Sequence, residues 1–203
     1  MPRPPRHDEA TLLDAAVRLA AVGGPAAVTM SAVARESGAP NGSVYHRFPQ
    51  RSALLAELWL RTLGEFHDTY LPVLTGQAGQ AEQAEPRLVA GAAARQVVAW
   101  SRAHRERAVV LLHGAEAFGR AEWPQEQARR ERQAGRRVRQ AVEGLAERLG
   151  AVTPLDLDRV TLAVVGLPLA VVRPHLHAGT PLPAHAEELA ERGAVDLLGA
   201  VGS

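Results

Sequence analysis

The chain has 203 residues, 46% of them apolar, with 23 Lys plus Arg against 22 Asp plus Glu for a formal net charge of +1 at pH 7. That supports one or two domains with a real core, and it excludes a protein coated in positive charge for nucleic acid. Cysteine is absent, which excludes a disulfide framework, a thiolate metal site and a Cys nucleophile, and no apolar run has the length of a membrane span.

Lysine and isoleucine are also absent, and Asn41 is the only asparagine, a bias expected of a GC-rich coding sequence. All positive charge is therefore Arg, whose planar fork suits phosphate and guanine. The opening residues MPRPPRHDEA lack the apolar core of a secretory signal, so a cytoplasmic location is expected. Arg3 and Arg6, set among prolines, read as a short arm suited to phosphate contact.

The first helix is predicted over about 8–22, with Leu12, Leu13, Ala16, Val17, Leu19 and Ala20 on its buried side and Gly23-Gly24-Pro25 ending it. Residues 29–51 then carry the most information. Thr29 is a good N-cap, and Met30, Val33 and Ala34 follow at helical apolar spacing. Gly38 suits a left-handed C-cap. Pro40 presets the start of a second short helix, and Pro49 stops it. Val44 and Phe48, four apart, pack inward and leave Asn41, Ser43, Tyr45 and His46 facing out. Gly42 lets a backbone or a phosphate approach closely, and Arg47 and Arg51 add charge at and just past the end. Two short helices joined at a tight turn, the second with a polar outer face, make the layout of a DNA-reading helix-turn-helix.

At these residues the chain resembles the TetR family of bacterial transcriptional regulators. The resemblance is carried by Thr29, Val33-Ala34, the run Gly38-Ala39-Pro40-Asn41-Gly42-Ser43-Val44-Tyr45-His46-Arg47-Phe48, and Arg51 with Leu54-Leu55. It covers residues 8 to about 55. Pro40 departs from the family's usual Ser, Arg47 from His and Arg51 from Lys. The resemblance implies an all-α chain: a three-helix N-terminal domain, assigned here to residues 1–52, and a larger effector-binding and dimerisation domain over 53–203. It also implies double-stranded DNA with a palindromic operator as partner. Thr29, Tyr45 and Arg51 are expected on phosphates, Asn41, Ser43 and His46 on base edges, Arg47 on either, with Ser31 and Gly42 at the same interface.

A fourth helix is predicted from about Gln50 through Leu54, Leu55, Leu58 and Leu63 towards Tyr70, with Pro72 as its end. Residues 75–86, TGQAGQAEQAEP, read as a loop or seam. Helices follow over about 86–104, 105–120 and 123–149, the last ended by Gly150. Arg129-Arg130-Glu131-Arg132 and Arg136-Arg137-Val138-Arg139 within it read as a solvated face partnered by Glu126 and Glu131, or as a phosphate or acidic-partner contact. Asp156 or Asp158 is expected to cap the next helix, whose apolar run Leu162–Val172 is interrupted by Pro168. A last helix over about 183–198 carries Ala186, Leu189, Ala190, Ala194, Leu197 and Leu198 on one side. The family resemblance implies a homodimer through these last two helices, here about 156–200.

The resemblance further implies a small-molecule pocket among the central helices. Trp59, Phe66, Trp100, His104, His113 and Phe118 are its candidates, each equally readable as core packing, for a lipophilic, partly polar effector. Trp123 and Glu116 lie nearby in sequence. No Gly-x-Ser-x-Gly elbow, phosphate-binding glycine loop or His-Glu-x-x-His occurs. His175-Leu176-His177 offers a metal fragment only if extended, and no cofactor or metal is expected. The reading is therefore a non-enzymatic, ligand-responsive DNA-binding repressor. Its alternative is a helical small-molecule-binding or enzymatic protein in which the N-terminal helices are only structural.

Overall fold

The computed structural model describes residues 9–77 and 85–200, so Arg3, Arg6 and most of the expected loop over 75–86 lie outside the described residues. The described residues are helical with no strand, as an apolar pattern of period 3.6 rather than 2 dictates. They divide into two compact units.

The first unit holds the described residues up to Gly64 together with Glu106–Arg132. Helix α1, Glu9–Gly23, buries Leu12, Leu13, Ala15, Ala16, Val17 and Ala20, a stripe of consecutive turns. Gly24, at φ 66°, then turns the chain into a short 3₁₀ segment. Helix α2, Met30–Ser37, starts at Thr29, whose hydroxyl accepts the Ala32 N–H at 3.1 Å. It ends at Gly38, at φ 68°, a conformation that costs other residues Cβ strain. Pro40, at φ −59°, sits at the N-cap of α3, Asn41–Arg47. Val44 and Phe48 are 0% and 2% exposed and fasten α3 to the α1–α2 core.

Asp14 on α1 accepts from Arg61 at 2.9 Å and from Arg107 at 3.3 Å. One carboxylate thus ties three helices of this unit. The stretch predicted as one helix over 105–120 is instead α6, Arg105–Leu112, then α7, Gly114–Ala117, then a 3₁₀ turn. Gly114 and Gly119, at φ 74° and 73°, make both breaks. Phe118 is fully buried, and the Trp123 indole N–H donates to its carbonyl at 2.9 Å.

Helix α4, Arg51–Leu74, contributes residues to both units, as does α8, Gln125–Arg148. Pro72 does not end α4 as expected but lies inside its last turn. There a proline forfeits a single backbone bond, the one to the Asp68 carbonyl.

The second unit holds Glu65–Arg105 and the described residues from Gln133 onward. Helix α5, Pro86–Ala103, packs against α11, Ala186–Leu197, with Gly91 at the crossing. A Cβ there would stand 2.9 Å from Val195 Cγ2 and 3.2 Å from the Glu191 carbonyl, so only glycine allows this approach. Arg102 donates to Glu187 and to the Leu182 and Pro183 carbonyls, each at 2.8 Å, which anchors the chain entering α11. Helix α9, Pro154–Thr161, does not take Asp156 or Asp158 as its N-cap residue, although Asp156 does take part in the cap. Thr153 is the N-cap, and Asp156 is its reciprocal partner in a capping box. Leu162–Gly166 forms a π-turn that runs on into α10, Leu167–His177. Pro168 therefore sits in a continuous helical stretch rather than at a break.

Candidate nucleic-acid interface

Helix α3 is short because its flanking prolines, Pro40 and Pro49, leave room for two turns. Its inward face is spent on Val44. Asn41, Gly42, Tyr45, His46 and Arg47 are exposed and Ser43 is half-buried. Tyr45 is 57% exposed, an unusual exposure for one of only two tyrosines in the chain and one that a fold-stabilising role does not explain. At the start of α2, Thr29 and Ser31 are exposed with their hydroxyl oxygens 3.3 Å apart. These hydroxyls flank a helix N-terminus, where unpaired N–H groups and the helix dipole favour an anion.

The two arginines differ from the rest. Arg47 forms an ion pair with Glu9 of α1. Arg51 donates from Nε to the Val28 carbonyl at 2.7 Å and from Nη2 to the Pro25 carbonyl at 2.6 Å. Its fork thus holds the backbone just before the α2 N-cap. Among the described residues Arg35 makes no ion pair, and it lies one turn after Ser31 on the same face of α2. Arg35 joins the candidate DNA-facing residues through this placement. The signal was there in the i, i+4 spacing from Ser31, outside the apolar stripe.

The six pocket candidates fall into two groups. In the first unit the Trp59 and Trp123 rings lie 5.7 Å apart, and His113 meets Phe118 edge-on at 6.3 Å. Trp59 is 9% exposed, and its indole N–H has no partner in the structure. In the second unit Phe66 stacks on Tyr70 at 5.0 Å and meets the edge of Trp100 at 5.1 Å, with His104 5.2 Å beyond Trp100. No single cluster gathers all six.

The last helices leave an apolar groove of about 810 Å³, with Leu162, Leu167, Val171, Leu189, Gly193 and Leu197 among its walls. Leu162 and Leu189 are 50% and 55% exposed. His175 and His177 lie on α10 rather than in an extended loop, so two residues apart they diverge, and no metal-holding group of side chains occurs among the described residues. Among those residues no helix is long and apolar enough to cross a membrane.

Residues 12–58, which span α1 to the first turns of α4, match the family model "Bacterial regulatory proteins, tetR family". No curated protein matches the sequence. Solved structures match the fold along nearly its whole length. A TetR family transcription regulator from Marinobacter aquaeolei VT8 is similar with a TM-score of 0.68 at 18% identity, covering 93% of each chain. A transcriptional regulator from Rhodococcus sp. Rha1 gives 0.68 at 21% identity, covering 97% of this chain and 99% of that one. The transcriptional regulator FadR from Bacillus subtilis, solved in complex with stearoyl-CoA, gives 0.68 at 14% identity, covering 97% and 100%. Residues 12–58 thus carry a TetR-type helix-turn-helix, and it heads a helical fold that solved TetR-family regulators share along nearly its whole length.

Proposed function

We propose that the chain is a ligand-responsive, DNA-binding transcriptional regulator, a repressor released from a palindromic operator by a small lipophilic effector. The observation that carries this reading is α3, a helix with one buried residue and an outer face of Asn41, Tyr45, His46 and Arg47. Residues 1–52 read DNA, and residues 53–203 bind effector and dimerise. Thr29, Ser31 and Tyr45 hold phosphates, together with Arg35 on the Ser31 face of α2. Gly42 admits the backbone close to DNA, and Asn41, Ser43 and His46 meet base edges in the major groove. Arg47 does so once it leaves Glu9. Arg51 contributes charge at the phosphate while holding the Val28 and Pro25 carbonyls.

A homodimer follows from the reading itself, since two recognition helices are needed for two half-sites. The leucine-lined groove over α10 and α11 is the self-complementary surface that supports it. Effector contacts come from one of the two aromatic groups, Trp59, His113 and Phe118 or Phe66, Trp100 and His104. That a relative binds stearoyl-CoA supports a lipophilic effector class.

The test is selection of duplexes from a randomised pool by the purified full-length chain. A two-fold symmetric consensus, bound with strong salt dependence, is the expected outcome. Retention of no sequence above background would sink the regulator reading and return the helical small-molecule-binding or enzymatic alternative.

A further inference from the structure

Helices α4 and α8 flank a second cavity, of about 470 Å³, within the second unit. One side chain in its wall is both buried and unpartnered. His67 is 6% exposed, and its ring nitrogens make no hydrogen bond with a described residue. With no partner from the protein and neither nitrogen sealed off from solvent, the imidazole keeps its hydrogen-bonding capacity for the cleft. Across the cavity Arg137 is exposed and makes no ion pair among the described residues. Arg137, Gln140 and Ala141 share one face of α8 by their spacing of three and four. His67 and Leu71 do the same on α4.

The donors and acceptors can be counted. The Thr75 hydroxyl is spent on the Leu71 carbonyl at 2.9 Å. Besides Asp68, what remains is the guanidinium fork of Arg137, the side-chain amides of Gln77 and Gln140 and an imidazole N–H of His67. The one carboxylate, Asp68, is exposed and forms no ion pair with Arg137. Burial, then the nearby Arg137 charge, lower the His67 pKa to about 4 despite the opposing Asp68. The arginine therefore outweighs the aspartate at the imidazole. Leu71, Pro72 and Ala141 supply a small apolar floor.

We propose that this cleft binds the oxyanion head of a small ligand, a carboxylate or a phosphate ester, with Arg137 forked onto the oxygens, Gln140 and His67 donating beside it, and a short apolar body on Leu71, Pro72 and Ala141. Arg–oxyanion forks are the strong, geometrically selective member of such a set. The cleft adds a polar end to the group of Phe66, Trp100 and His104, since the Phe66 and His67 rings lie 5.8 Å apart, and its consequence at DNA rests on the regulator reading. Binding itself is measured without DNA, so the two fail separately.

The experiment titrates hexanoate, hexyl phosphate and 1-hexanol into the full-length protein with ¹³C-labelled histidine. NMR follows the His67 imidazole, recognised among eight histidines by its low titration midpoint. Hexanoate or hexyl phosphate is expected to shift the His67 signals saturably and raise their midpoint, with hexanol inert. Arg137→Gln, a change at an exposed side chain, is expected to weaken oxyanion binding about tenfold or more with the circular dichroism spectrum unchanged. Equal binding of hexanol, unchanged affinity in R137Q, or His67 signals unmoved by both oxyanions up to about 10 mM would overturn the proposal. Bound oxyanion that leaves operator affinity unchanged keeps the site and overturns its regulatory role.

Discussion

Asn41 opens helix α3 and Arg51 lies just beyond it, with opposite commitments. The Asn41 side chain is exposed and engages no described residue, whereas Arg51 is already bonded to two carbonyls. Asn41→Ala is therefore expected to change preference at one base pair per half-site by ~1–3 kcal/mol, read by competition between operator variants. Arg51→Ala is expected to weaken all duplexes alike, flatten the salt slope by about one phosphate and destabilise the fold by roughly 1 kcal/mol through the loosened carbonyls. Arg51→Lys separates the two effects, because an ammonium reaches a phosphate but cannot fork onto both carbonyls. It should restore the salt slope and not the melting temperature. A lysine variant as stable as the parent would show that the carbonyl bonds contribute nothing.

His67 gives a pH signature at the same scale. Its pKa is about 4 in the fold against 6.5 when free. Between those values the unfolded chain binds the extra proton, so stability is full above the free value and is lost as pH falls from about 6.5 to about 4. Solvent reaching the ring caps the loss at no more than about 3 kcal/mol. Urea midpoints compared for the parent and His67→Gln over that window check it, the variant losing the slope if it folds.

At the scale of elements, the prolines show what a single sequence can and cannot announce. Local rules worked where one or two residues decide the matter. Thr29 caps α2, and Gly38 and Gly150 end helices at φ 68° and 72°. They failed where a distant side chain intervenes. Pro168 cannot offer an N–H to the Val164 carbonyl four residues earlier. The Tyr70 hydroxyl, 94 residues away in sequence, donates to it at 2.8 Å instead, and burial pushes its phenol pKa well above the usual value. The helical stretch survives a residue that sequence rules read as an interruption. The same long range hid the acceptors of Arg51, more than 20 positions upstream, and the meeting of His67 with Arg137. The breaks at Gly114 and Gly119 are local too, but the apolar spacing through 105–120 runs across both glycines and masks them. Tyr70→Phe is expected to cost ~1–3 kcal/mol by leaving a buried carbonyl unpaired. In a Pro168→Ala background the restored amide N–H should shrink that cost, a coupling that a double-mutant cycle of urea midpoints detects. Strict additivity would mean that Tyr70 does not substitute for the missing donor.

For the whole molecule the proposal is a dimer whose two reading helices enter successive major grooves, about 34–36 Å apart. Leu189, half-exposed in the α10–α11 groove, is the place to break it. Leu189→Arg would put a charge into the surface that the proposed dimer desolvates, at a cost of several kcal/mol. Light scattering should report monomer, and operator affinity should collapse while single half-site contacts persist. A variant that stays dimeric would remove α10–α11 from the interface. Dimerisation alone does not make a switch. An effector alters DNA affinity only if it binds one dimer geometry better than another, and α4 is the element suited to carry that difference, since Arg51 and Phe66 are parts of one helix. Linkage then requires that operator DNA weaken effector binding by the same factor by which effector weakens DNA binding. Titrating an effector with and without saturating operator should give two affinities in that ratio, typically about 5–150-fold apart. Phe66→Ala should change the ratio and leave operator binding in the absence of effector intact. Identical effector affinities in the two titrations would rule out the switch even in a protein that binds both ligands tightly, because coupling between sites has no other thermodynamic expression.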